Sequence, residues 1–383
     1  KITCSARSTG PMAGFTMVSS ILLVASMAAA ISLVHADINP PAIFSFGDSL
    51  SDVGNNNYLP PGAYKCNFPH WGVDFTGGVA TGRATNGYNI IDILAQHMGF
   101  KESPPPLEAK TSDTLTGVNY ASGGSGFLLD CMNGNIKQCF TMWEQIDNFK
   151  RTRLDLQQRL GREAAEEFIS KSILIFSDGG NDIYDFFLRY NTTSVFRIDE
   201  FVANLTSAFK KQLKELYDLG GRKFAIINVV ALGDLPKVRF DGSDVRNLLT
   251  SITQKFNGAE DTMLKELSST LPGMKYSIGN FFNVFKDLFN HPDEHGFKNA
   301  TSACCGEIRP IDAPPFVLET LCTPEASLCS HRSEYVFFDV SHPTQSAMEY
   351  AGEKFYSGNL TYASPINLKQ LVEDELGGGF QIM

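Results

Sequence analysis

Short apolar runs that stop abruptly at glycine- and asparagine-rich loops, separated by long helical patterns, constrain this chain most. Ala42 to Phe46, Ser172 to Ser177, Lys223 to Val230 and Lys275 to Ile278 are such runs. They are continuous rather than alternating, as strands covered on both faces are. Between them, Asn86 to Gly99, Trp143 to Gly161, Phe201 to Leu219 and Val245 to Leu271 carry apolar residues at helical spacing. The first of these is expected to be capped by Asn86 and ended by Gly99. Strands alternating with helices predict a parallel sheet with helices on both faces, an α/β class. In such sheets ligands bind at the carboxyl ends of the strands. No internal repeat or dividing linker is present, so residues 37–383 are expected to form a single domain.

Residues Met17 to Val34 are almost wholly apolar or small, preceded by Arg7 and followed by small residues around Ala36. This predicts a secretory leader over residues 1–36, cleaved before Asp37; the competing reading is an uncleaved membrane anchor. The sequons at Asn191, Asn204, Asn299 and Asn359 agree with a secretory route, hence a secreted or lumenal protein. The whole chain carries a formal charge of −10; without Lys1 and Arg7 of the leader, 30 basic residues face 42 acidic ones. No basic cluster relieves this, which argues against nucleic acid or an anionic membrane as partner.

Beyond Cys4 in the leader there are seven cysteines. In an oxidising compartment Cys131 and Cys139 are expected to pair. Cys304, Cys305, Cys322 and Cys329 are expected to pair among themselves, leaving Cys66 as the free thiol. The late cluster lacks the spacing of a zinc site. His291 and His295 flank Pro292, which argues against a shared helical face for a metal. His97 reads as a surface or packing residue.

Two stretches carry chemistry. In Ile43 to Tyr58 (IFSFGDSLSDVGNNNY) a strand empties into Gly47-Asp48-Ser49, placing Ser49 at a strand end with Gly47 permitting a tight turn. Near the other end, YVFF precedes Asp339-Val340-Ser341-His342. A hydroxyl is a poor nucleophile until a base takes its proton, and an imidazole base needs a carboxylate to orient it. One short turn supplies both acid and base, so only Ser49 must arrive by tertiary folding. Each motif alone reads as an ordinary turn. The α/β-hydrolase elbow G-x-S-x-G is not met around Ser49.

With FGDSLSDVGNNNYL, ATGRATNGYNIIDILAQHMGF, GVNYASGGSG, GGND and YVFFDVSHPT in that order, the chain resembles the plant-type GDSL esterase/lipases of the SGNH hydrolase superfamily. The likeness runs from about Ile43 to Leu368. GGND stands where G-x-N-D is frequent, and Phe338 where Trp is common. The resemblance implies a flavodoxin-like α/β/α sandwich using no metal or cofactor and acting on a lipid-like or small carboxylic ester. It implies Ser49 as nucleophile, His342 as general base and acid, and Asp339 as its orienter. The oxyanion hole it implies comprises the Ser49 and Gly124 backbone N–H groups and the Asn181 side-chain amide, with Gly123 a rival to Gly124. Asp182 is expected to support its loop. The competing functions are an acyltransferase on the same triad and a catalytically idle binding protein. The aromatic and apolar content of Tyr64 to Arg83, with Phe68, His70, Trp71 and Phe75, and of Pro314 to Cys329 suggests a hydrophobic acyl site; the competing reading of these residues is plain packing.

Overall fold

A computed structural model describes residues 40–374, apart from 110–114, 129, 132–137, 191–193, 240 and 311–316. The leader, the sequon at Asn191 and the start of the Pro314 segment lie outside the described residues.

The strands are β1 (Ile43–Gly47), β2 (Gly117–Asn119), β3 (Ile173–Ser177), β4 (Lys223–Ile227), β5 (Lys275–Gly279), β6 (Asn299–Ala303), β7 (Glu307–Pro310), β8 (Val317–Thr320), β9 (Tyr335–Phe337) and β10 (Ala363–Ser364). The main sheet has the order β10-β5-β4-β3-β1-β2. All neighbours in it are parallel except β10, which runs antiparallel on β5. β6 pairs with β9, and β7 with β8, outside this sheet. Every residue of β1, β3 and β4 is buried, which is why these strands read as continuous apolar runs. The chain leaves β1 toward β2 on one side, while β3, β4 and β5 build outward on the other. The β1/β3 boundary is therefore a topological switch point, where an open sheet leaves a crevice.

The helices are α1 (Ile90–His97), α2 (Met142–Leu160), α3 (Arg162–Lys171), α4 (Gly180–Tyr190), α5 (Val195–Asp218), α6 (Ser243–Thr270), α7 (Phe281–Asn290), α8 (Gln345–Ser357) and α9 (Leu368–Glu373). Under the sheet, Phe46 stacks on Phe176 at 4.9 Å and on Tyr120 at 5.1 Å, while Phe44 meets Phe149 edge-on at 5.0 Å. Among the described residues, no helix is long and apolar enough to cross a membrane.

Several boundaries differ from expectation. α1 is capped by Asn89, whose side chain accepts from Ile91 and Asp92 in a capping box. Asn86 is occupied elsewhere, donating to Asp74 and accepting from the Gln345 N–H. β4 ends at Ile227 rather than Val230, because Asn228 to Leu235 turn away into the crevice wall. α4 starts inside the glycine-rich stretch that reads as a turn.

The bridges are Cys131–Cys139, as expected, and Cys304–Cys329 and Cys305–Cys322, a pairing within the late cluster that the sequence left open. Cys66 is the one unbridged cysteine among the described residues, and it is buried. Of the sequons, Asn204 is exposed on α5. The Asn299 side chain accepts from the Thr301 and Ser302 N–H groups, and that of Asn359 from the Thr361 N–H. His97 stacks on Tyr356, a packing contact. His291 and His295 flank a short 3-10 turn, with His295 against Asp287 and Tyr350; no metal-ligand cluster is present among the described residues.

Glu260, on α6, is fully buried, and its Oε2 has no hydrogen-bond partner. Burial, aided by the negative charge of Asp261, pushes its carboxyl up to about 8. The folded protein thus holds a proton that the unfolded chain releases near the ordinary 4.5, so this group's stability contribution is lost as pH rises from about 4.5 to 8. Glu260→Gln is expected to melt well above the parent at pH 9 and close to it at pH 5, measured by calorimetry. Equal pH dependence in both proteins would remove this account.

Candidate active site

The crevice at the switch point is built from the ends of β1 and β3 upward. Gly47 closes β1 with φ 142°, and a Cβ there would lie 2.2 Å from the Ser177 carbonyl oxygen. Only glycine lets the two strand ends come this close. Asp48 N–H then donates to Ser177 O, and Asp48 O accepts from the Ser51 and Asp52 N–H groups. The resulting tight turn presents Ser49.

From the other end of the chain, β9 leads into the turn holding Asp339 and His342. Asp339 Oδ1 accepts from the Ser341 N–H at 2.8 Å and the His342 N–H at 2.6 Å. His342 Nδ1 lies 2.9 Å from both carboxylate oxygens, and Nε2 lies 2.8 Å from Ser49 Oγ. A ring nitrogen facing a carboxylate carries the proton, which leaves Nε2 to accept from the serine hydroxyl. Burial alone would raise the Asp339 carboxyl, but His342 and the two backbone donors outweigh it and hold it below its usual range. The carboxylate therefore stays charged, facing the imidazole. The three residues named from sequence are brought together in one chain of hydrogen bonds.

The residues expected to stabilise an oxyanion also converge here. Gly123 lies against Ser49, and its N–H is committed to Asp52 Oδ2 at 3.1 Å. This leaves the next amide, that of Gly124 (φ 91°), as the loop's candidate donor. Asn181, in the first turn of α4, lines the crevice with Ser49 and His342. One hydrogen of its amide is held by Ser125 O at 2.8 Å, so the other remains to be offered. Asp182 accepts from the Phe127 and Leu128 N–H groups, both at 2.9 Å, and so holds the glycine-rich loop.

Several residues of the site carry no chemical signature in sequence. Gln145 of α2, fully buried, accepts from Gly47 N–H at 2.9 Å and donates to Gly47 O at 3.0 Å, gripping the residue two before Ser49. Its amide also lies near Ser125 Oγ and Phe140 O. Asn55 donates to Asn119 O and Ala121 O, and Asn56 to Gly123 O, tying the two loops together. Beneath Ser49, Asp48 and Asp178 are buried carboxyl groups. Burial, with the charge of Asp182, pushes Asp48 up to about 6 against the Leu50 N–H and His342. Burial and the charges of Asp48 and Asp182 push Asp178 well up.

The apolar wall of the crevice is not where expected. Ile227 at the end of β4 and Val229, Val230, Leu232 and Leu235 from the segment after it line the crevice with Lys237 and Pro343. Of the aromatics in the Tyr64 to Arg83 segment, Tyr64 lies against His342, while the others pack away from the crevice. Trp71 is buried edge-on against Phe338 at 5.2 Å, Phe75 lies on Tyr88 and under Arg83, and His70 Nε2 lies 3.1 Å from Pro324 O. Arg83 itself is buried, paired in two bonds with Asp92 of α1.

Comparison with known proteins agrees with this geometry. The family described as GDSL-like lipase/acylhydrolase matches residues 43–355. The chain belongs to that family. One GDSL esterase/lipase of Arabidopsis thaliana is 35% identical over 329 residues, covering 84% of this chain and 90% of the relative. A second, from the same plant, is 34% identical over 316 residues, 80% of this chain and 84% of the relative. A third is 34% identical over 350 residues, 87% and 90%. As a GDSL-type lipase/acylhydrolase, the chain is an enzyme hydrolysing carboxylic esters.

Gln145→Leu keeps the volume but strips both partners from Gly47. It is expected to cost about 3 kcal/mol, since each buried polar group left unpaired costs roughly 1–3 kcal/mol. Urea unfolding measures this, and a loss under about 0.5 kcal/mol, the size of an ordinary surface change, would contradict the role given to Gln145.

Proposed function

We propose that the protein is a secreted serine esterase that cleaves small-acyl carboxylic esters through an acyl-enzyme on Ser49. The observation that carries this reading is the unbroken line Ser49 Oγ, His342 Nε2, His342 Nδ1, Asp339, with contacts of 2.8 and 2.9 Å. His342 takes the proton as Ser49 attacks, Asp339 orients and stabilises the imidazolium, and His342 returns the proton to the departing alcohol. Water, deprotonated by the same imidazole, then releases the acid. The Ser49 and Gly124 N–H groups and the Asn181 amide receive the negative charge that forms on the carbonyl oxygen in each half. No step of this chemistry calls for a cofactor or a metal.

The acyl group is assigned to the wall of Ile227, Val229, Leu232 and Leu235. The cleft there is narrow, about 70 Å³, which favours short acyl chains over long ones. Secretion is supported by the three disulfides, which persist in oxidising compartments, and by the sequons at Asn204, Asn299 and Asn359 beside that at Asn191. In this reading residues 1–36 are a leader removed from a single domain of residues 37–383. Hydrolysis is preferred to acyl transfer because an acceptor alcohol needs an organised site of its own.

A fluorophosphonate probe is expected to label Ser49, located by peptide mapping, and to leave Ser49→Ala and His342→Ala unlabelled. His342→Ala should lower kcat on the order of 10⁴-fold or more on a p-nitrophenyl ester. Activity should fall toward acid pH, because an imidazolium cannot accept the serine proton. Leu232→Trp should depress kcat/KM more for hexanoyl than for acetyl esters. An adduct at Ser122 or Ser125 would refute the nucleophile assignment, and ester product dominating over free acid at millimolar alcohol would make the enzyme a transferase.

A further inference from the structure

Tyr64 meets the acid–base pair on two sides. Its hydroxyl lies 3.4 Å from Asp339 Oδ2, and its ring lies over the His342 imidazole, centroids 5.8 Å apart and planes 21° from parallel. The residue is 41% exposed, and its hydroxyl lies beside the Cys66 thiol and the Asp339 carboxylate. A half-exposed tyrosine is usually surface packing, and two further contacts set this one apart. The Tyr64 carbonyl accepts from Asn56 Nδ2 at 3.0 Å, and that same amide donates to Gly123 O at 2.8 Å beside Ser49. Buried Trp71 stands edge-on to both rings, 6.4 Å from Tyr64 and 6.3 Å from His342. Backbone and ring are thus fixed to the parts that hold the nucleophile and the base.

The two oxygens of Asp339 are unequally served. Oδ1 accepts two backbone N–H groups, whereas Oδ2 has the shared Nδ1–H of His342 and the Tyr64 hydroxyl. A buried carboxylate oxygen needs a donor, and the second donor also fixes the rotation of the carboxylate plane. We propose that Tyr64 is a positioning residue of this enzyme, donating to Asp339 Oδ2 to lock the carboxylate and covering His342 with its ring as the imidazolium forms. The ring's π face favours the cation that appears when Ser49 attacks. Burial, with Cys66 and Asp339 beside it, pushes the Tyr64 hydroxyl well above its ordinary range, so it remains a donor across the working pH. The titratable groups around the pair are Tyr64 and Cys66 from the loop after β1 and Asp48 beside Ser49, with Asp52 acting on Cys66.

The role rests on the triad reading given above, and the test separates the two. Tyr64→Phe keeps the ring and deletes the donor; Tyr64→Ala deletes both. The Phe variant is expected to lose roughly tenfold in kcat, about the size of one hydrogen bond to a charged group, with KM within about twofold. The Ala variant should lose roughly a hundredfold. With its donor gone, Oδ2 presents more negative charge to the imidazole, so the acid limb of the kcat profile should move to higher pH in the Phe variant. The downfield proton resonance of His342 Nδ1–H, assigned by its absence in His342→Ala, should also move in Tyr64→Phe. That resonance is read in resting enzyme and needs no turnover. A Phe variant with the parent's kcat, pH profile and resonance overturns the proposal, and so does a loss confined to KM, which would make Tyr64 a wall for substrate. Full activity in Ser49→Ala would overturn the triad reading instead, and the resonance would still decide Tyr64.

Discussion

Everything at this centre depends on how closely two parallel strands can approach at their carboxyl ends. Ser177 O stands where any Cβ on residue 47 would have to be, so β1 can end beside β3 only as glycine. That contact fixes the Asp48 N–H on Ser177 O and, through the turn, the direction of Ser49. Gln145 reinforces it by occupying both polar groups of Gly47 from a helix 98 residues away in sequence. The loop that offers Gly124 is laid on the same base, because Ser122 N–H donates to Gly47 O. The Ser49 turn, the glycine-rich loop after β2 and the sheet are thus referenced to a single residue.

The parts of this arrangement differ in how visible they are in sequence. The sheet is legible because strands buried on both faces must be apolar throughout, and β1, β3 and β4 are. Ser49, Asp339 and His342 are legible because their chemistry is local: a serine at a strand end, and an acid and base three residues apart. Gln145 is not, because a glutamine on an amphipathic helix reads as a solvated position until the fold turns it inward. The apolar wall of the crevice is hidden for a related reason. Val229 and Val230 continue the apolar run of β4, and an apolar residue facing a cleft looks the same as one facing a core. Conversely, the aromatic segment around Trp71 has the composition of a binding loop, yet its rings close on Phe338, Phe68 and Tyr88. The cap of α1 slips by three residues because NGYN holds two asparagines, and only tertiary bonds to Asp74 and Gln345 show that Asn86 is already engaged.

The buried carboxyl groups around Ser49 separate into two kinds. Asp182 and Asp339 receive backbone N–H groups and serve as fixed acceptors that hold a loop and a base. Asp178, with Oδ2 unpaired and two other carboxyl groups near it, is pushed well above the ordinary carboxylate range by burial and repulsion. Neighbouring acids in one crevice are thus shifted in opposite directions, since hydrogen-bond donors rather than proximity to solvent separate them.

The proposed nucleophile and its proposed base belong to different sheets. Ser49 follows β1 of the main sheet, whereas the turn of Asp339 and His342 follows β9, which pairs with β6 and is braced from upstream by Cys304–Cys329 and Cys305–Cys322. Across the seam run Thr85 Oγ1 to Pro343 O, Tyr88 N–H to Gln345, and the paired bonds of Arg332 to Asp74. Beside these polar contacts, Val336 and Phe337 of β9 belong to the same buried core as the main sheet, with the Phe337 ring 6.1 Å from Phe285. The turn of Asp339 and His342 is therefore carried by the packing that holds the sheet, and opening the seam means exposing core. Inactivation by heat and the calorimetric transition should accordingly run together.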